Sequence, residues 1–202
     1  MDKKKLRILL VDDESIIRLD MREMLKEQGH EIVGEASDGQ MAVELAEKLT
    51  PDLILMDIKM PKMDGLEAIS QINRNRRIPT IMLTAYSQPE LVERAVELGV
   101  FGFLVKPVKE HDLLPTIEVV LARAEELSTL EKEVGSLKET LETRKMVEKA
   151  KGILMESFGM TEAAAFRKIQ KLSMDKRKPL KEVADAIILA QEVSGDTPRT
   201  RA

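Results

Sequence analysis

Leu53-Ile54-Leu55-Met56-Asp57-Ile58-Lys59-Met60-Pro61-Lys62-Met63-Asp64-Gly65 opens with four apolar residues, ends that run on an aspartate and then turns through proline and glycine. An unbroken apolar run of this length fits a strand covered on both faces, because a strand with one wet face alternates. The same unit recurs on either side. Short apolar runs at Arg7–Val11, Glu31–Ala36, Thr80–Leu83 and Gly102–Val105 alternate with amphipathic segments, with Leu53–Met56 in the middle. Gly29 and Gly99 are placed as helix stops and Pro89 as a first-turn residue. Five strands with intervening helices predict an α/β fold, a doubly wound parallel sheet, in which function gathers beyond the carboxyl ends of the strands.

That edge is where the acids fall. Asp12 and Asp13 close the first strand and Asp57 the third, so three carboxylates distant in sequence converge if the strands are parallel. Such a cluster repels itself and calls for a cation, and all-oxygen ligation favours Mg²⁺ over zinc or copper. Taken singly, each aspartate also suits a helix cap or a turn. Thr84 closes the fourth strand and Lys106, followed by Pro107, the fifth. A hydroxyl and an ammonium beside a carboxylate suit phosphoryl transfer, with Asp57 as nucleophile.

This set, Asp12-Asp13, Asp57, Thr84-Ala85 and Lys106-Pro107 with Met60 to Gly65 after the central aspartate, resembles the receiver domain of bacterial response regulators over about residues 5–120. The resemblance implies that Asp57 accepts the phosphoryl group and that Asp13 and Asp57 ligate Mg²⁺, with Asp12 helping through water and the backbone carbonyl of Lys59 completing the protein ligands. It implies that Lys106 pairs with the phosphate, that the Thr84 hydroxyl moves toward it, that Phe103 is the aromatic switch, and that the Lys106–Pro107 peptide is cis. A sensor histidine kinase is the implied donor. The protein is not expected to be an enzyme beyond catalysing its own phosphorylation and dephosphorylation.

Composition narrows the rest. Apolar residues make up 43% and charged residues 34%, which fits a globular protein rich in charged helices. The chain has no cysteine, which excludes disulfides and thiolate metal sites. The apolar run after the basic start stops at Asp12, too early for a signal peptide, and no run approaches a membrane span, so a cytoplasmic location is expected. Charge is unevenly spread: residues 1–120 hold 16 Lys and Arg against 22 Asp and Glu, net −6, while residues 144–181 hold 11 against 4, net +7. A basic block on an acidic protein is a candidate surface for phosphate backbones, or simply a solvated helical face.

From Leu113 the strand signal disappears. Leu113, Ile117, Val120, Ala124 and Leu127 are spaced 4-3-4-3, and Leu127, Leu130, Val134, Leu137 and Leu141 are spaced 3-4-3-4, a phase shift of the stammer type. The first stretch is expected to pack on the receiver and the second to face a partner helix in a homodimer formed on phosphorylation; a short intramolecular packing helix, weakened by Gly135, is the alternative. Three helices follow, about Thr143–Phe158 ending at Gly159, Glu162–Met174 behind Thr161, and Leu180–Gln191 opened by Pro179. The expected organisation is a receiver at 1–120, a helical linker and possible coiled coil at 121–142, a three-helix domain at 143–192 and a disordered tail at 193–202.

Residues 141–184 resemble the ANTAR domain, a three-helix RNA-binding module of transcription antiterminators, through Leu141-Glu142-Thr143-Arg144, Ala150-Lys151-Gly152-Ile153-Leu154-Met155, Gly159, Glu162, Ala165-Phe166, Met174, Leu180 and Val183-Ala184. Gln170 departs from the family, which commonly has Arg there, and Ser173 stands where Ala is usual. Small Ala150, Gly152, Ala164 and Ala165 suit close helix packing, with Ile153, Leu154, Phe166, Ile169, Leu172, Leu180 and Val183 as core. Phe158 and Phe166 could stack on bases, but at helical spacing they are expected in the core. Candidate RNA contacts are Arg144, Lys145, Lys149, Lys151, Arg167, Lys168, Lys171, Lys176, Arg177 and Lys178.

Together these features predict a phosphorylation-activated regulator that binds structured leader hairpins and controls transcription by antitermination. A DNA-binding output is a rival, since Pro179–Ile188 resembles the first helix of a helix-turn-helix, but no recognition helix follows before a short polar tail. An enzymatic output has less support, because residues 121–202 contain no histidine and no convergent catalytic set. An adaptor acting through protein partners is a further alternative.

Overall fold

Strands that alternate between two buried faces need helices on both sides, and the chain supplies them in sequence. The computed structural model describes residues 5–85 and 89–195. The order is β1 (Arg7–Val11), α1 (Ser15–Glu27), β2 (Glu31–Ala36), α2 (Gly39–Leu49), β3 (Leu53–Asp57), α3 (Gly65–Asn75), β4 (Thr80–Thr84), α4 (Pro89–Glu97), β5 (Gly102–Val105), α5 (Glu110–Phe158), α6 (Glu162–Lys176) and α7 (Leu180–Gly195). All five strands are parallel in the order β2-β1-β3-β4-β5. The order reverses direction at β1, the switch point of a doubly wound sheet.

The period of two sorts the strand side chains into two cores. Leu9, Val11, Ile54, Met56 and Met82 face Ala42, Ala46, Leu66, Ile72 and Ala95 from α2, α3 and α4. Ile8, Leu10, Leu53, Leu55, Ile81 and Leu83 face Met21 and Leu25 of α1 and Leu113, Ile117 and Val120 of α5. Leu113, Ile117 and Val120 of the first α5 stretch therefore pack on the sheet as its spacing predicts, whereas Ala124 and Leu127 are not part of that core. β3 and β4 each run one residue further than their apolar runs, so Asp57 and Thr84 are the last residues of strands.

The chain divides into two units, one ending at Ser128 and the other starting at Thr129, and α5 runs through both. The helix expected to begin near Thr143 is thus the last third of α5, and Gly135 does not interrupt it. The second unit has its own core of Val147, Ala150 and Leu154 from α5, Ala165 and Ile169 from α6, and Val183, Ala184 and Ile188 from α7. Phe166 is not part of that core and Phe158 is 64% exposed, a correction to both expectations: Ala165 and Ile169 already occupy the inward face of α6. Gly152 is also not needed for close packing, since a Cβ there would meet nothing within 4 Å. Helix α7 extends to Gly195, past the expected end at Gln191, and residues 196–202 of the expected tail lie outside the described residues. Among the described residues no helix is long and apolar enough to cross a membrane.

Candidate functional site

Asp12 follows β1, Asp57 ends β3 and Lys106 follows β5, and the parallel sheet delivers all three to one edge. Carboxylate oxygens of Asp12, Asp13 and Asp57 lie within 4.8 Å of one another. Asp12 is fully buried, Asp57 is 6% exposed and Asp13 is open to solvent. The Lys106 Nζ sits 2.6 Å from Asp57 Oδ2, 2.7 Å from Asp12 Oδ2 and 3.8 Å from Glu14 Oε1. One ammonium therefore balances carboxylates from two strands.

The balance is incomplete. Burial pushes the Asp57 carboxyl above the ordinary aspartate range; Lys106 opposes this and the Asp12 charge adds to it. Burial also works against the Lys106 ammonium, but its close pairing with the Asp12 and Asp57 carboxylates outweighs that and holds its pKa above the usual lysine value. Asp12 Oδ1 accepts from the Glu14 amide at 3.0 Å, whereas Asp12 Oδ2 has only the Lys106 ion pair and no well-directed hydrogen bond. A fully buried carboxylate oxygen left in that state, within reach of two further carboxylates, fits a hard cation.

Other groups hold the edge in place. Arg18 donates to the Asp12 carbonyl at 2.6 Å and pairs with Glu35 at 3.3 Å. The Lys59 amide donates to Asp57 Oδ1 at 3.4 Å, so the loop expected to present the Lys59 carbonyl is also tied to the nucleophile. The same loop is held at its far end: Lys62 Nζ lies 2.6 Å from Asp38 Oδ2, and the Gly39 amide donates to the Met63 carbonyl at 3.1 Å. Asp38, which caps α2 through Met41, is kept below the usual carboxylate range chiefly by its hydrogen bond to Lys62. Sequence reading missed this pair, although an aspartate before Gly39 is a recognisable helix cap. Half-buried Thr84 pairs across the sheet with Val105, Phe103 packs partly buried on the α2–α3–α4 face, and the Lys106–Pro107 peptide is cis.

In the second unit, nine of the ten basic candidates are exposed. Lys151 is the exception, with its side chain 9% exposed and its Nζ 2.7 Å from Glu162 and 2.9 Å from Glu148. Those hydrogen bonds raise its pKa and depress that of Glu162. Lys145 pairs with Glu142, Lys149 with Glu192 and Lys178 with Glu182, while Lys168 lies over the Phe158 ring at 5.3 Å. No ion pair or hydrogen bond engages the side chains of Arg144, Arg167, Lys171, Lys176 or Arg177 among the described residues.

Residues 8–118 match the model of the response regulator receiver domain, and residues 135–188 match that of the ANTAR domain. The chain belongs to the response regulators, with a receiver and an ANTAR domain. A transcriptional regulatory protein of Mycobacterium tuberculosis, PdtaR, is 51% identical over 191 residues, covering 95% of this chain and 93% of that protein. Among solved structures, the response regulator domain of Thermotoga maritima CheB superposes with a TM-score of 0.56 at 30% identity, covering 59% of this chain and 98% of that one. The CheX-CheY-BeF3-Mg²⁺ complex from Borrelia burgdorferi gives 0.55 at 29% identity, covering 56% and 87%. The receiver accounts for the first unit and the ANTAR domain for most of the second.

Proposed function

We propose that this response regulator is a cytoplasmic RNA-binding antiterminator, activated when a sensor histidine kinase phosphorylates Asp57. The observation that carries the reading is the join in one chain of a Lys106-bridged carboxylate cluster within the receiver match and exposed, unpaired cations within the ANTAR match. A carboxylate oxygen of Asp57 forms a bond to phosphorus as the phosphorus–nitrogen bond of the donor histidine breaks, and the released imidazole takes a proton from solvent. Asp13, Asp57 and the backbone carbonyl of Lys59 would hold Mg²⁺, with Asp12 helping through water, and the ion would supply positive charge to the phosphoryl oxygens. The magnesium in the related CheY complex and the convergence of the Asp12, Asp13 and Asp57 carboxylates both support that ion. Lys106 exchanges Asp57 for a phosphoryl oxygen, Thr84 turns toward the new charge and Phe103 fills the space left behind. The same groups serve the receiver's own phosphorylation and dephosphorylation.

Phosphorylation promotes a homodimer through Leu130, Val134, Leu137 and Leu141. These residues share one seam of α5 and are 47% to 58% exposed, as a waiting helix partner requires. Two linked ANTAR domains then capture leader hairpins with raised effective concentration at the second site. The test compares hairpin RNA with duplex DNA of the same sequence at several salt concentrations, with and without a small phosphodonor and Mg²⁺. RNA should win in the phosphorylated state, with a log–log salt slope of about −0.7 per single-strand phosphate neutralised. Asp57→Ala should take up no alkali-labile phosphate and lose the stimulation. Preference for duplex DNA, or no RNA binding in either state, rejects the antiterminator.

A further inference from the structure

Residues of α5, α6 and the start of α7 in the ANTAR unit line an open cleft of about 980 Å³, with Val147, Ala163, Phe166 and Leu180 among its apolar lining. Phe166 is 37% exposed there, so its ring is partly open to the cleft. The Lys151 ammonium lies 6.0 Å from its centroid and is fixed by Glu148 and Glu162. The ring is therefore held next to a positive charge while remaining accessible to a ligand.

Charge decides what kind of ligand enters. The cleft is lined by Glu139, Glu148 and Glu162 against Arg144 and Lys151, one net negative charge, which disfavours a phosphate in its interior. A neutral planar group faces no such penalty and gains a stacking surface. The Thr161 hydroxyl is occupied in capping α6, and Thr140 donates to the Ser136 carbonyl. The Thr143 hydroxyl and the Arg144 guanidinium have no hydrogen bond or ion pair among the described residues, so one can meet a base edge or ribose hydroxyl and the other a phosphate. This rests on the RNA reading above. We propose that the cleft seats an unpaired nucleobase of the bound RNA on the Phe166 ring, with the flanking backbone held at Arg144. A base inside a duplex is stacked on both faces and does not qualify, so the site reads single-stranded loop residues.

The chain has no tryptophan, so Phe166→Trp places a single indole emitter in the cleft of the full-length phosphorylated protein. A hairpin with an unpaired loop should quench it saturably, at the concentrations at which an electrophoretic shift detects the complex. A fully paired RNA duplex should not. Phe166→Ala should weaken hairpin binding about 5- to 150-fold, as expected for one lost base stack, without changing the salt slope. Phe166→Tyr should restore most of the affinity. If the parent binds hairpin RNA, but Phe166→Ala binds equally and the emission of the Phe166→Trp variant does not respond, the cleft proposal fails while the antiterminator stands. If no hairpin binds the parent, both fail. Emission that shifts with protein concentration alone means that a second copy of the chain covers the cleft, and that also overturns the proposal.

Discussion

Replacing Gly65 with alanine should damage the phosphoacceptor more than it damages the fold. A Cβ on Gly65 would lie 2.1 Å from the carbonyl oxygen of Asp57 and 3.0 Å from Met82 Cε, where ordinary contact begins at 3.4 Å. Relief of more than 1 Å must come from backbone, either the first turn of α3 or the peptide of the nucleophile, because the Gly65 amide is also bonded to the Ile58 carbonyl at 2.9 Å. Gly34→Ala is the control: its Cβ meets Leu49 Cδ1 at 2.7 Å and Leu9 Cδ1 at 3.1 Å, the far ends of side chains that can rotate away. Overpacking costs typically about 1–3 kcal/mol, so Gly34→Ala should fall near the bottom of that range and Gly65→Ala at or above its top. A displacement of about 1 Å at a reacting group can slow its reaction by about 100-fold. The receiver transition in urea unfolding, followed by circular dichroism and fitted separately from that of the second unit, gives the first quantity, and the initial rate of labelling by a small phosphodonor with Mg²⁺ gives the second. The reasoning is refuted if Gly65→Ala labels at the parent rate, or if its stability lies within about 0.5 kcal/mol of Gly34→Ala.

Three further outcomes are expected. Because the folded protein raises the Asp57 pKa, the ionised carboxyl costs stability at any pH above that raised value, and the cost fades as pH falls through it toward the ordinary 3.8. Asp57→Asn should therefore stabilise the metal-free protein at pH 7 with a gain that shrinks in acid; a variant no more stable than the parent at neutral pH contradicts this. Asp38 has the opposite sign: its lowered pKa contributes stability above 3.8 that is lost as pH falls through the depressed value. Lys62→Met should move acid unfolding of the first unit to higher pH, and an unmoved midpoint would show that the loop is held by other contacts. Val134→Glu and Leu141→Glu should each weaken phosphorylation-dependent association in sedimentation, whereas Ser136→Glu should not. Association that survives both glutamates places the interface elsewhere.

The five-stranded sheet was legible because burial on both faces leaves unbroken apolar runs, and chain direction alone then gathers Asp12, Asp57 and Lys106 at one edge. The strand ends were read one residue short at Asp57 and Thr84 because a polar residue can complete a ladder without extending the apolar run. In the second unit, periodicity placed Ile169, Leu154 and Val183 correctly in the core but misplaced Phe166, which is adjacent to Ala165 and so only one step around the helix from the buried face. Helical spacing cannot tell which side of a stripe the partner helices fill. Lys151 looked like a free cation for a similar reason: Glu148, three residues earlier, was a readable partner, but Glu162 lies across a turn that only the fold closes.

From Leu121 to Met146 no residue of α5 is buried. In a lone chain, that span is held by its own backbone ladder and whatever surface pairs it forms, and isolated helices gain little from propensity without tertiary packing. Its amides should therefore exchange with solvent well before those of β3, or of the α6 segment around Ile169. Cooperativity cannot pass through a segment that opens first, so the receiver and the ANTAR unit should melt as separate transitions and a single fitted unfolding energy for the whole chain has no meaning. Dimer formation changes this. Burying the seam makes the order of the helix depend on protein concentration, and slowed exchange across residues 129–142 would then report assembly directly.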